Sequence, residues 1–224
     1  MADPIPSFPL YSVTWQDLGR AQAVLSEAFA EDPFFAYALG GPDAVRAETL
    51  HGFTLRFGLR YGRVFAPSPA LEGVAVWLPP GSTEMTALRS LRAGVLSVGR
   101  ISFASMTQRR RFFLRLMRYG AYSGSLHKRH APFAHWYLLN VGIRRAYRGQ
   151  GYAGRLLRPV LQYLDRAGIS CYLETHNPAN PALYEHFGFR VVEVGRLPGT
   201  DQPHWSMLRL PTSDEFRHPA ARDT

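Results

Sequence analysis

Three closely spaced glycines, with an arginine directly before the first, occur in residues 144–157, RRAYRGQGYAGRLL, where an apolar strand-like run gives way to a predicted helix. From Ala153 onward, apolar residues recur at helical spacing. The first amides of a helix have no partner within it, and Gly149 and Gly151 leave them open to a ligand. Arg148 adds a charge that can pair with an anion. The stretch predicts a pyrophosphate site, although such turns also serve as plain connections.

Two other glycine motifs resemble this stretch. Its spacing does not match a phosphate loop, which requires a lysine after the last glycine. Residues 149–154 do fit the letters G-x-G-x-x-G of a dinucleotide fingerprint, and Glu174 lies some twenty residues later. However, the preceding elements do not alternate as strand, helix and strand, and the turn lies late in the chain. These two features disfavour the dinucleotide interpretation.

A pair of motifs carries a family resemblance. Residues 148–153, RGQGYA, fit the signature Q/R-x-x-G-x-G/A, and about thirty residues later YLETHNPANPALYEHFGF contains Asn180, Tyr184 and Gly188 in the expected order. Over residues 133–195 the chain therefore resembles the GCN5-related N-acetyltransferases (GNAT). AFAEDPFF, VAVWLPPG, HWYLLNVGI and YLETHN further resemble the puromycin N-acetyltransferase-like subgroup.

The resemblance implies an α/β (α+β) fold with a mixed, splayed sheet of about seven strands flanked by helices. One N-acetyltransferase domain would cover residues 1–210, with an acetyl-CoA-binding core at 133–195. Residues 84–130 form a basic insertion, read as two amphipathic helices, and residues 211–224 are expected to be disordered.

The resemblance also implies acetyl-CoA as co-substrate, without a metal. The predicted cofactor-binding residues lie on the strand end, the glycine turn and the second motif: Val141, Gly142, Ile143, Arg148, Gly149, Gln150, Gly151, Tyr152, Ala153, Asn180 and Tyr184. A splayed strand leaves amides unpaired, and those of Val141 and Ile143 could pair with the pantetheine amides. An amide near Asn140 or Val141 could polarise the acetyl carbonyl.

Three residues are candidates for proton transfer. Tyr184 matches the family's tyrosine that protonates the departing thiolate, and a phenol with a pKa of about 10 keeps its proton at neutral pH. Packing of its ring is the alternative. His135, fourteen residues before Gly149, and Glu174 are the two candidate bases, although each also fits a structural role.

The acceptor is predicted to be a small-molecule primary amine, with an antibiotic-like amine as one candidate, attacked directly on the acetyl donor. Glu31 and Asp32 would orient a cationic substrate, and Phe34, Phe35 and Trp77 would line an apolar pocket, unless they are core residues. The alternatives are a protein N-terminal or lysine acetyltransferase and a catalytically silent acyl-CoA sensor.

Composition narrows the class of protein. With 224 residues and 46% hydrophobic composition, the chain can form one substantial core. It contains no apolar run long enough to span a membrane and no apparent signal peptide, so we expect a cytoplasmic protein without a membrane partner. The single cysteine, Cys171, cannot form an internal disulfide.

The positive charge is concentrated in one segment. Residues 84–130 contain ten basic residues and one acid, an excess that equals the formal net charge of +9 of the whole chain. The simplest interpretation is a solvated face on amphipathic helices, with an acidic or phosphorylated partner as the alternative. We expect no nucleic-acid partner, and a monomer or homodimer.

Overall fold

A mixed seven-stranded sheet lies at the centre of the structure, a computed structural model that describes residues 8–212. Most of the predicted tail at 211–224 therefore lies outside the described residues. The strands are β1 Tyr11–Ser12, β2 Arg63–Ala66, β3 Gly73–Leu78, β4 His135–Ile143, β5 Ser170–Thr175, β6 Arg190–Arg196 and β7 Pro203–Arg209. Their order is β1-β2-β3-β4-β5-β7-β6, and only β4 and β5 are paired in parallel.

Eight α-helices flank this sheet in the described residues. They are α1 Leu18–Ala28, α2 Pro33–Leu39, α3 Ala44–Tyr61, α4 Ala87–Arg92, α5 Leu96–Gly99, α6 Met106–His130, α7 Tyr152–Ala167 and α8 Asn180–Glu185. No helix within residues 8–212 is long and apolar enough to cross a membrane.

The central strand β3 shows how the two helical layers attach. Every residue of β3 is buried, as expected for a strand covered on both faces. Ala75 and Trp77 pack in the cluster that contains the apolar face of α7, whereas Val74 and Val76 pack in the cluster of α1 and α3. Because side chains alternate along a strand, one strand joins both layers, and the chain forms a single domain.

The helix after the glycine turn follows its sequence pattern. Five apolar residues of α7 are buried against the sheet: Leu156, Leu157, Val160, Leu161 and Leu164. The helix ends at Gly168, whose φ of +66° is the left-handed conformation that favours glycine at a helix C-terminus. Because the apolar face of α7 is held against the sheet, the direction in which its first turn points is fixed as well.

The basic segment differs from its prediction. Two helices were expected in residues 84–130, and the structure contains three, α4, α5 and the 25-residue α6. Gly94, with a φ of +83°, separates the first two short helices. Ser105 caps α6 by accepting a hydrogen bond from the Gln108 N–H at 3.2 Å. The segment is a long helix preceded by two short ones.

Candidate functional site

The pairing between β4 and β5 stops halfway along β4. The register runs from His135 with Ser170 to Leu138 with Leu173, and no later residue of β4 pairs with β5. At the same point, β3 pairs Val76 with Asn140 and Trp77 with Leu138, which leaves Leu139 as an extra residue. Such a bulge bends a strand. The second half of β4 is paired on its β3 side alone.

Backbone N–H groups in the second half of β4 point into the gap that opens between β4 and β5 beyond Leu138. The Arg144 N–H donates to the Glu72 carbonyl at 3.0 Å, on the β3 side. Because successive amides of a strand point to opposite sides, the N–H groups of Ile143 and Val141 point away from β3. They are donors that the sheet does not use.

The glycine turn closes one end of this gap. Gly149 and Gly151 have φ values of +74° and +78°, and a Cβ at either position would meet no atom within 4 Å. The Arg155 N–H makes the first helical bond of α7, to the Gly151 carbonyl at 3.1 Å. The preceding amides of α7 therefore have no helical partner and lie beside open space, an arrangement suited to an anion.

Arginines around the turn have defined anchors. Arg148 donates to the carbonyls of Ile143 at 3.2 Å and Ala28 at 2.9 Å, and it forms no ion pair within residues 8–212. Arg145 donates to Glu31 at 2.7 Å. Glu31, predicted to orient the substrate, is thus already an exposed ion-pair partner of the turn.

A cleft of about 890 Å³ joins these features. Ten of the eleven predicted cofactor-binding residues line it; the exception is Gln150, whose amide donates to the Ala146 carbonyl at 2.7 Å. Asn180 lies in the wall and donates to Thr175 Oγ1 at 2.8 Å. The volume lies near the upper end for small-ligand sites, which suits a long ligand.

Tyr184 and Asp32 lie together in the cleft wall. Tyr184 is 7% exposed, and burial together with the nearby Asp32 charge raises its pKa well above 10. Asp32 caps α2 by accepting a hydrogen bond from the Phe34 N–H at 2.9 Å. Burial raises the pKa of Asp32 to about 6, partly opposed by that hydrogen bond. The wall therefore holds a protonated phenol beside a carboxylate that ionises near neutral pH.

Neither predicted base lines the cleft. His135 lies at the start of β4, about 20 Å along the strand from Val141. Its Nδ1 lies 2.7 Å from the Phe133 carbonyl oxygen and its Nε2 lies 2.6 Å from His127 Nε2. Burial lowers the pKa of His135, so this pair is best read as a buried structural contact.

Glu174 is held inside the protein. Its side chain is 2% exposed and accepts hydrogen bonds from Ser123 at 2.6 Å, Tyr172 at 2.9 Å and Tyr119 at 3.3 Å. The hydrogen bonds from Ser123 and Tyr119 attach α6 to the sheet. The structure therefore gives Glu174 an anchoring position.

The three predicted acceptor-pocket aromatics also lie outside the cleft lining. Phe34 stacks on His176, with ring centroids 5.2 Å apart, and Phe35 packs on His51 at 4.4 Å. Trp77 is fully buried in the core. The sequence missed α2 itself, although Asp32 followed by Pro33 is a capping residue followed by a favoured first helical residue.

Comparisons with known proteins show what this chain is similar to. The Acetyltransferase (GNAT) family model matches residues 101–189. An uncharacterized N-acetyltransferase of Schizosaccharomyces pombe is 25% identical, over 92% of this chain and 85% of its own length. Nothing in these matches tests the puromycin-like subgroup, which stays a prediction.

Solved structures share the fold. One is described as histone acetyltransferase HPA2 and related acetyltransferase from Corynebacterium glutamicum; it has a TM-score of 0.59 and 24% identity, and covers 92% of this chain and 98% of its own. The polyamine N-acetyltransferase of Drosophila melanogaster has a TM-score of 0.61 and 14% identity, and covers 90% of this chain and 98% of its own. The family match over residues 101–189 and the related N-acetyltransferase, together with the shared fold, show that the chain contains a GNAT-family acetyltransferase domain and is an acyltransferase.

Proposed function

We propose that this enzyme transfers an acetyl group from acetyl-CoA to a primary amine of a small molecule by direct attack. The observation that carries the proposal is the single cleft that runs from the glycine turn, along the unpaired half of β4, to Tyr184 and Asp32. An anion site, free strand amides and a proton donor beside a carboxylate are the parts that this reaction requires.

The residues at the turn fit the phosphates of acetyl-CoA. Gly149 and Gly151 leave room beside free amides, and four arginines line the same cleft: Arg145, Arg148, Arg155 and Arg158. Each negative charge at a helix start gains about 0.3–1 kcal/mol, and guanidinium groups add charge-assisted hydrogen bonds. When bound, acetyl-CoA supplies the acetyl group as an activated thioester.

The free amides of Val141 and Ile143 would bind and orient the extended arm of the donor, as an added strand is held at a sheet edge. A backbone N–H in this region can also stabilise negative charge that develops on a carbonyl oxygen, because it is fixed in place before the reaction. These donors are free because β4 pairs with β5 only as far as Leu138, next to the bulge at Leu139.

Two side chains would handle protons. The raised pKa of Tyr184 keeps its hydroxyl protonated at neutral pH, so it can donate to a departing thiolate. Asp32, with a pKa of about 6, is ionised at pH 7.4 and can bind the acceptor ammonium and accept its proton. Transfer from an amine with a pKa of about 10.4 is uphill by more than four pKa units, whereas an α-amino group near 7.8 is far easier to deprotonate.

A small amine is the favoured acceptor. The Drosophila relative in fold is described as a polyamine N-acetyltransferase that forms N-acetylagmatine. We expect thiol release from acetyl-CoA with at least one member of a panel of arylalkylamines, polyamines and amino-acid amides. The panel includes peptides with a free N-terminus or an internal lysine as the comparison. Thiol release with the peptides alone would contradict the proposed acceptor class. A failure of every amine in the panel to support thiol release would contradict it as well.

The glycine turn can be tested with a matched pair of variants. Gly151→Val should weaken acetyl-CoA binding at least about tenfold, because a branched side chain enters the space beside the free amides. Gly168→Val is the control, since Gly168 ends the same helix with a similar positive φ and no neighbour within 4 Å. Calorimetry would measure the affinity of each variant for acetyl-CoA. Thermal melting would check that the two substitutions destabilise the fold to the same extent. Equal acetyl-CoA affinity in the two folded variants would remove the turn from the binding site.

Asp32→Asn tests the carboxylate without removing the cap, because the amide oxygen can still accept the Phe34 N–H. The carboxyl is protonated below pH about 6 and ionised above it, so wild-type kcat/KM should rise with pH through this value. Asp32→Asn should lose this rise of kcat/KM with pH. Its kcat/KM at pH 7.5 should fall roughly 10²-fold. Asp43→Asn, at the cap of α3, should keep the wild-type profile. A limb near pH 6 that persists in Asp32→Asn would assign it to another group.

Tyr184→Phe tests proton donation. It keeps the ring but removes the hydroxyl, so kcat should fall about 10²- to 10⁴-fold while acetyl-CoA affinity stays unchanged. The loss should shrink for an acyl donor with a more acidic leaving thiol. Tyr163→Phe, which alters a ring packed on Trp136, is the control and should keep wild-type turnover. Wild-type kcat in Tyr184→Phe, where chemistry limits the rate, would mean that the ring only packs.

A further inference from the structure

A second cavity, of about 290 Å³, lies at the far end of α2 from Asp32. It is formed by the connection between α2 and α3, by Phe103, and by one face of α6. It shares no lining residue with the acetyl-transfer cleft. The length of α2 separates Asp32 from Gly40 by about 12 Å. This cavity is therefore a site distinct from the cleft.

Three guanidinium groups line the second cavity, those of Arg46, Arg111 and Arg115, together with the amide of Gln108. Arg111 and Arg115 lie one turn apart on α6, so their side chains project from the same side of the helix. Within residues 8–212, neither guanidinium forms an ion pair or a side-chain hydrogen bond, although Arg115 is half-buried.

The sole carboxylate of the lining is already engaged. Asp43 Oδ1 accepts the Arg46 N–H at 2.9 Å, and Asp43 Oδ2 pairs with Arg46 Nη1 at 3.0 Å. Arg46 is further fixed by its Nε, which donates to the Ser102 carbonyl at 2.9 Å. Within residues 8–212, Arg111 and Arg115 therefore have no carboxylate partner.

The backbone beside Arg115 is adapted to the guanidinium. Gly40 ends α2 with a φ of +84°, and a Cβ there would lie 2.6 Å from Arg115 Nη1. Part of the charge of Arg115 faces the negative end of α2, which is favourable. No helix end in the described part of the chain faces Arg111 in this way. The two guanidinium groups therefore present positively charged hydrogen-bond donors to the second cavity.

We propose that this cavity binds the phosphate group of a small phosphorylated molecule. Guanidinium groups match the oxygens of a phosphate, and Gln108 can donate a further hydrogen bond. The volume approaches the lower end for small-ligand pockets, so it accommodates the group that carries the phosphate as well as the phosphate itself. The same chemistry binds free phosphate, and the test below separates the two sources.

The test is calorimetric titration of the full-length protein, saturated with CoA to fill the cleft, in phosphate-free buffer. The probes are O-phospho-L-serine and inorganic phosphate. Arg111→Gln/Arg115→Gln should weaken binding at least about tenfold. Arg109→Gln/Arg110→Gln makes the same change in net charge on exposed residues outside the cavity, and should change affinity less than about twofold.

A second variant guards against misfolding of the double variant. Gln108→Glu keeps every arginine but places a carboxylate in the cavity, so it should also abolish binding of both probes. Tighter binding of phosphoserine identifies an esterified phosphate as the ligand, and tighter binding of inorganic phosphate identifies the free ion. Equal losses in the two double-arginine variants, or no saturable binding to wild type below about 10 mM, would overturn the proposal. The result does not depend on acetyl transfer, because the comparison is between binding variants.

Discussion

The end of the β4–β5 pairing at Leu138, beside the bulge at Leu139, is the constraint on which the site depends. If β4 continued to pair with β5 beyond Leu138, the amides of Val141 and Ile143 would be consumed by the sheet and no gap would exist. β3 holds the other edge of β4 and supplies apolar contacts to both helical layers, so the bent strand stays fixed. The sheet thus loses a few hydrogen bonds inside a well-packed core and leaves strand donors open to a ligand.

Local features of the site could be predicted from the sequence. Free amides at the start of α7 require only a strand, a glycine turn and a helix in this order, and all three are encoded within residues 133–167. Hydrophobic periodicity oriented α7, and Gly168 fixed its end. The end of β4 and the glycine turn follow each other directly in the chain, so they line one cleft, as their spacing indicated. Short-range patterns determine these groups because the chain itself connects them.

Long-range features could not be predicted in this way. Asp32 and Tyr184 are far apart in sequence, and only the packing of α2 and α8 at the edge of the gap brings them together. Burial raises the pKa of Asp32, and burial depends on neighbours that no local pattern specifies. His135 has the residue type of a base, yet its place at the start of β4 puts it at the wrong end of the strand. Residue type alone also could not separate Trp77, a core residue, from a pocket residue.

Some arginines of the basic segment, residues 84–130, contact the rest of the domain, whereas others form no ion pair in the described residues. Arg89 lies over the Tyr61 ring, and Arg129 pairs with Glu193 at 3.1 Å, so these side chains attach the segment to the rest of the domain. A nucleic-acid surface would instead present its cations together along one face for phosphates. Arg111 and Arg115, which form no ion pair within residues 8–212, both line the second cavity, a concave pocket that is open on one side. A concave pocket lined by a few cations is suited to one anionic group, which is the occupant proposed for the second cavity, whereas a long polyanion requires an extended surface.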